Sequence, residues 1–506
     1  MTGKRWLYLI HRWLGIALCL LMAVWFFSGV VMMYVGYPKL TPQERLRALP
    51  ALDLGGACCV GADAAMRAAG LGAGTHEVKL AMVGEEPVWL VSGHQETVAV
   101  AARTGAKLAP ATPARALLAA DKFLPGQYPA LMGTVREDIF TASRALDAYR
   151  PLLRVALQDP AGTEVYVSQK TGEVVRDSTR RERGWNYAGS IAHYIYPLRG
   201  GVFDKWWADI IIYLSLAGTI ATVIGLWLGL LRWRFAGRYK SGARTPYKDF
   251  MMKWHHLTGL LFGAVTLTWV FSGLMSMNPW KVFEQGGPKT DTVAFQGGSL
   301  HLARPALDVR QALALADGLE VREIALQVFD GRPYYVLYSA GGATRVLRAD
   351  ADAGGGPREL LTRFPEPALR AAAARLLPGY AVQSVEMLGD YDFYYYQRDA
   401  HAMLGHIERR LPVLRVKFND PAGTWFHVDP YTGTVHNRID AGRRRSRVWF
   451  ALLHSWDFPK FIDMRPLWDG VMIFLSVGGF ALCVTSVVIG WRRLRLKAGH
   501  GRAKRA

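Results

Sequence analysis

Apolar residues follow two different patterns along this chain of 506 residues. Four stretches, 13–34, 208–231, 257–277 and 467–491, are apolar almost without a break, and each reaches the ~20 residues a helix needs to cross a bilayer. Between them lie two long segments, 38–205 and 279–466, with short alternating or apolar runs that end in turn residues. "EVKLAMV", "PVWLVSG", "TVAVAARTGAKL" and "PYYVLYSA" read as strands, while "TEVYVSQKTGEVV" and "TWFHVDPYTGTVH" read as strand, turn and strand. "ADAAMRAAG" has helical spacing, and the low-complexity run "ADADAGGGP" reads as a surface loop. These patterns predict a membrane α-helical protein: a four-helix transmembrane bundle carrying two α+β domains outside the membrane.

Charge orients this arrangement. The net charge is +20, which alone would suggest a nucleic-acid partner, but the cations gather on one side of the apolar stretches. Lys4 and Arg5 precede the first stretch. Arg232, Arg234, Arg238, Lys240, Arg244, Lys248 and Lys253 stand between the second and third, and Arg492, Arg493, Arg495 and Lys497 follow the fourth. The positive-inside rule then places both termini and the middle loop in the cytoplasm of a bacterial cell, with the long segments in the periplasm. The expected division is a first span in 1–37, a periplasmic domain with an interfacial helix in 38–205, and a second span in 206–232. A basic loop follows in 233–253, then a third span in 254–278, a second periplasmic domain with its interfacial helix in 279–466, a fourth span in 467–492 and a basic tail in 493–506. The expected location is the inner membrane, multi-pass, in contact with lipid and with no nucleic acid. The first stretch is expected to be an uncleaved anchor, because it is too long for a signal-peptide core and "VVMMYVGYP" offers no small-x-small cleavage site. Of the four cysteines, Cys58 and Cys59 are adjacent, so a bridge between them is not expected, and no CxxCH occurs to attach a haem covalently.

The two halves repeat one another. At an offset of 244, His11, Gly15, Trp25, Phe27, Ser28 and Gly29 fall on His255, Gly259, Trp269, Phe271, Ser272 and Gly273. At an offset of 261, "LRVALQDPAGTEVYVSQKTGEV" falls on "LRVKFNDPAGTWFHVDPYTGTV", and His193 falls on His454, Trp207 on Trp468, Ser215 on Ser476 and Gly229 on Gly490. Both halves enter the membrane in the same direction, so the reading is a parallel duplication about an axis along the membrane normal.

This repeat sorts the 13 histidines. His76, His94, His301, His401, His406, His427, His436 and His500 have no counterpart and read as ordinary strand or surface residues. His11 with His255, and His193 with His454, occupy matching positions. Two imidazoles facing across an axis are what a six-coordinate haem requires. His256 lies about 100° round the helix from His255 and is a second candidate ligand or a supporting partner. Gly15, Gly29, Gly259 and Gly273 recur on the histidine-bearing face, where a missing side chain admits either a flat porphyrin or a close helix neighbour. Met22, Trp25, Phe262 and Trp269 share that stripe. His193 and His454 belong to amphipathic stretches at the outer mouth, ended by Pro197 and Pro459, whose Arg181, Arg183, Arg444, Arg445 and Arg447 are candidates for pairing propionates or an anionic substrate. Two b-type haems near opposite faces would form a path for electrons across the membrane. No GxGxxG after a strand and no P-loop occurs, so a quinol or a separate cytoplasmic reductase is the expected donor.

"LIHRWLG", "LLHSWDFP", "PLWDGVMIFLSVGG" and "LRVKFNDPAGTWFHVDPYTGTV" together resemble the PepSY-associated transmembrane helix family over nearly the whole chain. That resemblance implies periplasmic PepSY domains on four haem-bearing helices. In some members it also implies reduction of a ferric siderophore, or another ferric chelate, in the periplasm. It assigns ligand roles to His11, His255 and His454, and to His193 by repeat, although "AHYIYP" lacks the leucine and the Asp-Phe of the second copy. Two other classes stay open at this point. A non-enzymatic PepSY membrane protein would bind or restrain a periplasmic peptidase. A metal transporter would need carboxylates within the spans, where only Asp209 and Asp469 stand, both at the outer border.

Overall fold

The structure is a computed structural model and describes residues 3–56, 58–199, 201–284, 286–316, 318–351, 358–402, 405 and 407–503. His406, the side chain of His500 and most of the "ADADAGGGP" run lie outside the described residues.

Four helices, Gly3–Met32, Trp207–Arg232, Phe250–Ser276 and Leu467–Ala503, are long and apolar enough to cross a membrane. The first and fourth outrun the apolar stretches because their flanks are rich in Lys, Arg, Leu and Trp. These residues hold a helix well and carry long side chains that reach from an apolar surface into water. The first and third spans each pack on the second and fourth, so the two histidine-bearing helices stand diagonally across the bundle. They meet through Phe26 and Trp269, whose rings lie 5.7 Å apart. On the fourth span, Gly479 lets Phe26 in and Gly478 lets Phe262 in, for a Cβ at either would lie 2.3 Å from the ring.

Beyond one end of the bundle, strands Thr75–Val83, Glu86–Gly93 and Thr97–Ala101 join Val321–Phe329, Arg332–Ser339, Thr344–Arg348 and Leu360–Leu361 in one seven-stranded sheet. The sequence predicts two separate domains; the observed sheet is continuous across both segments. Its seam is antiparallel, with Leu80 opposite Ile324 and Ala81 opposite Glu323. Each edge strand satisfies the other's backbone donors and acceptors, which would otherwise be an exposed template for association. Side chains reinforce the seam. Glu323 is buried and pairs with Arg45, which comes from the helix Pro42–Ala48, and lies 3.8 Å from Lys79. Apolar residues of both segments, Leu80, Trp89, Ile324, Leu326 and Leu337 among them, share a core beneath.

Each segment adds a four-stranded antiparallel sheet, at 130–178 in the first and 382–439 in the second. A helix covers each one: Pro113–Phe123 through Ala116, Ala119 and Ala120, and Glu366–Ala373 through Leu369, Ala372 and Ala373. Connectors then run back to the bundle. Thr179 and Glu182 cap the first connector reciprocally, and it breaks at Gly189 into Arg180–Ala188 and Ser190–His193. The second connector is helical from Ala441 to Ser455 with a π-helical stretch at Arg447–Leu452, and it ends where Trp456 turns left-handed, ahead of Pro459. Trp185, Tyr187, Trp206, Trp449 and Phe458 are exposed here, as an aromatic belt at a membrane surface would be. Cys58 and Cys59 correct the expectation of no bridge. They form a disulfide across a cis peptide bond, which draws their Cα atoms to 3.1 Å.

Strand Val174–Ser178 carries an acid that offers a stability test. Burial, with Glu44 and Glu182 nearby, pushes the Asp177 carboxyl up to about 7, against His401 and Arg176. A raised carboxyl favours the fold while protonated, and its contribution is lost as pH rises from the unfolded value through about 7. Asp177→Asn is therefore expected to raise the melting temperature by several degrees at pH 8, by less at pH 5, which already lies above the unfolded value of ~3.9, and to leave it nearly unchanged near pH 3, as read by intrinsic fluorescence.

Candidate functional site

The fold brings four of the predicted histidines together in two pairs. His11 of the first span faces His255 of the third, with ring centroids 6.2 Å apart and planes tilted by 39°. His193 and His454, from the two connectors, face each other at 6.2 Å with planes at 74°. The second pair lies level with Ser28, which is ~25 Å of helix rise from His11.

Hydrogen bonds fix the tautomer of each ring. Ser28 Oγ donates its proton to the Trp25 carbonyl at 3.2 Å, so at 3.0 Å it accepts from His193 Nδ1. Ser272 does the same for His454, donating to the Trp269 carbonyl and accepting at 3.0 Å. At the other end, His11 Nδ1 donates to the Ala221 carbonyl at 2.9 Å. His255 Nδ1 donates to Ser486 Oγ at 3.1 Å, since Ser486 gives its own proton to the Leu482 carbonyl. In all four neutral rings the Nε2 lone pair is left for a ligand. Burial, and then the charge of its partner His454, lowers His193 to about 3, and burial lowers His454 to about 4, so this pair stays neutral at physiological pH.

His256 is excluded by the same logic. Its Nε2 donates to the Gly229 carbonyl at 2.9 Å and its Nδ1 accepts from Thr245 Oγ1 at 2.7 Å, so neither nitrogen retains a lone pair. It ties the loop after the second span to the third.

The glycines differ in role. A Cβ on Gly29 or Gly273 would lie 3.9 Å from Cε1 of His193 or His454, so both sit directly beside the rings. Gly15 faces open space, and a Cβ on Gly259 would meet Leu482 at 3.6 Å. Gly225, absent from the predicted set, matters more: a Cβ there would lie 2.5 Å from His11 Cε1. At the offset of 261 it falls on Ser486, the partner of His255, and that correspondence was the available signal.

A chamber of about 1400 Å³ opens around the His193–His454 pair. Met22, Trp25, Trp269, Gly29 and Gly273 line its floor, whereas Phe262 packs away from it against Phe474. Arg181, Arg183, Arg444, Arg445 and Arg447 do not line it. Arg183 pairs with Glu164 and Arg444 donates to the Gly423 carbonyl, which ties the connectors to the sheets, whereas Arg445 donates to the Val282 carbonyl just after the third span and Arg447 pairs with the buried Asp457 just past the end of its own connector.

A metal held between two imidazole nitrogens at ~2 Å each, with ring radii of roughly 1.1 Å, separates the centroids by ~6.2 Å. Both observed spacings fit that requirement, and the chamber exceeds the ~300–1,000 Å³ of an ordinary small-molecule pocket. The remaining described histidines are used locally: His427 between Arg415 and Asn437, His401 on Glu44, His436 on Asp429, His301 on Ser299, and His76 beside His94. Among the described residues no cluster of three or more His, Cys, Asp or Glu side chains is placed to hold a bare ion.

No curated protein matches the chain. The profile of the PepSY-associated TM region matches residues 8–304, which take in the first three spans and His11, His193 and His255. With four bilayer-length helices and more than half of its length covered by that profile, the chain is a membrane protein of the PepSY-associated TM family.

Proposed function

We propose that this protein is a b-type haem oxidoreductase of a bacterial inner membrane that reduces a periplasmic ferric chelate, such as a ferric siderophore. The observation that carries this reading is the pair of facing imidazole couples, each at 6.2 Å with unclaimed Nε2 lone pairs. His11 with His255 would hold one haem and His193 with His454 a second. A bound haem supplies reversible one-electron chemistry. The chain's own residues do the rest. Ser28, Ser272, Ser486 and the Ala221 carbonyl lock each ring in orientation, and the apolar core around Leu18, Met22 and Phe26 keeps water out between the two pairs. Ferric iron is held by hard oxygen ligands more tightly than ferrous iron, so its reduction loosens a chelate.

The clustered cations support cytoplasmic termini and a periplasmic sheet end. The electron donor is then a quinol or a cytoplasmic reductase. A parallel duplication accounts for the matched Ser28–His193 and Ser272–His454 contacts, both at 3.0 Å.

A visible absorption spectrum tests the reading. Purified protein is expected to be red, with a low-spin bis-histidine spectrum and two haems per chain by pyridine haemochrome. A colourless protein that takes up no added haem would overturn it. Gly225→Ala is expected to push the His11 ring aside and to lower the haem content by about one of the two equivalents, as read by the haem-to-protein ratio.

A further inference from the structure

Over the outer histidine pair, the chamber is walled by cations, three of which, Lys39, Arg176 and Arg199, form no ion pair among the described residues. Lys39, Arg176, Arg199 and Arg398 all line it. Arg176 is 5% exposed, stacks 5.5 Å from the Tyr37 ring, and forms no ion pair among the described residues. Its Nε has no hydrogen-bond partner there, and neither has Nε of Arg398. The nearest carboxylate to Arg398 is Asp457 at 3.6 Å, which already serves Arg447 and Tyr396. Arg199 lies 4.6 Å over the Trp207 ring, and Lys39 donates to the Ala402 carbonyl. Glu77 and Glu173 also line the chamber but face Arg45 and Lys79, which leaves Asp463 and Asp399, the latter being the acid whose charge bears on Lys39. Burial, then the neighbouring Arg176 and Arg398, lowers the Lys39 ammonium to about 8, so the three cations crowd one another. Arg398 also acts on His454, which places the cluster next to the pair.

A buried guanidinium with an unmet donor costs free energy until an acceptor arrives, and a carboxylate matches its planar fork. We propose that Lys39, Arg176, Arg199 and Arg398 form a carboxylate seat in the chamber above the His193–His454 pair, suited to a ligand bearing two or more carboxylates. Such groups have two sources: the propionates of a haem on that pair, or a dissolved polycarboxylate chelate of ferric iron. Only the first source rests on the proposed haem function.

Citrate and ferric citrate, titrated into the full-length purified protein by calorimetry, separate these sources when haem content and midpoint potential are measured alongside. If the ligand is dissolved, citrate binds, Arg176→Gln and Arg398→Gln each weaken it at least tenfold, and Arg176→Lys largely retains it. If the ligand is a propionate, citrate does not bind, and the two glutamine variants lower the potential or the content of one haem. Lys39→Met replaces either variant that fails to fold. Citrate binding that all these variants leave unchanged overturns the seat, as does an absence of citrate binding with haem content and potential unaltered. In a protein without haem the function proposed above fails separately, and the citrate titration alone decides the seat.

Discussion

Replacing His255 by alanine is expected to remove about one haem per chain. No CxxCH occurs to tether a haem, so on the proposed reading coordination and packing alone would hold it, and His11 by itself would offer one axial bond instead of two. Rescue from next door is closed off, because both nitrogens of His256 are committed, to Gly229 and to Thr245. His256→Ala is accordingly expected to keep both haems, as is His427→Ala in the second sheet. The measurement is the haem-to-protein ratio with the reduced-minus-oxidised spectrum; full retention in His255→Ala would count decisively against ligation by this residue. His454→Ala should remove the other equivalent, and the double variant should be colourless.

Glu323→Ala is expected to destabilise the joined sheet by about 3 kcal/mol. Truncating one member of a buried ion pair costs ~3–5 kcal/mol, and the lower end applies because Arg45 and Lys79 keep 22% and 24% side-chain exposure. Arg45 would then keep only Glu173, at 3.9 Å, and Lys79 only Glu77. Burial pushes the Glu323 carboxyl up, but Arg45 and Lys79 overcome this and hold it below the ordinary value. A depressed carboxyl stabilises the fold above the unfolded value of ~4.3, and its contribution fades as pH falls through the folded value. The gap between wild type and variant should therefore be widest near neutrality and close in acid, as read by thermal unfolding from pH 7 to pH 3. A gap that stays constant with pH would mean that the charge of Glu323 is not what holds the seam.

Much of this architecture is legible in residue patterns, for physical reasons. A bilayer imposes a length and a polarity that few other environments impose, so the four spans stand out. Matched positions in the two halves single out His11, His193, His255 and His454, and the structure brings these together in facing couples. Tertiary pairing is less visible. Nothing local in "EVKLAMV" says that its free edge meets Val321–Phe329 some 240 residues later, because an edge strand accepts any complementary edge. The bridge at Cys58–Cys59 joins adjacent residues, a spacing that by itself disfavours pairing. The guanidinium groups of the connectors illustrate a third limit. Arg183, Arg444 and Arg447 have the composition of an anion site, yet the Glu164 carboxylate, the Gly423 carbonyl and Asp457 claim them. Arg176, in a strand, forms no ion pair among the described residues, and its Nε has no hydrogen-bond partner there.

The shared sheet also bears on the outer imidazoles, since each hangs from a different segment. Stitched at the seam, the two arms work like the legs of one caliper: neither swings without carrying the other, and the gap between their tips is set overhead instead of by the helices alone. An iron gripped there would gain and lose charge with little rearrangement of its surroundings, which is the mechanical condition for fast electron exchange.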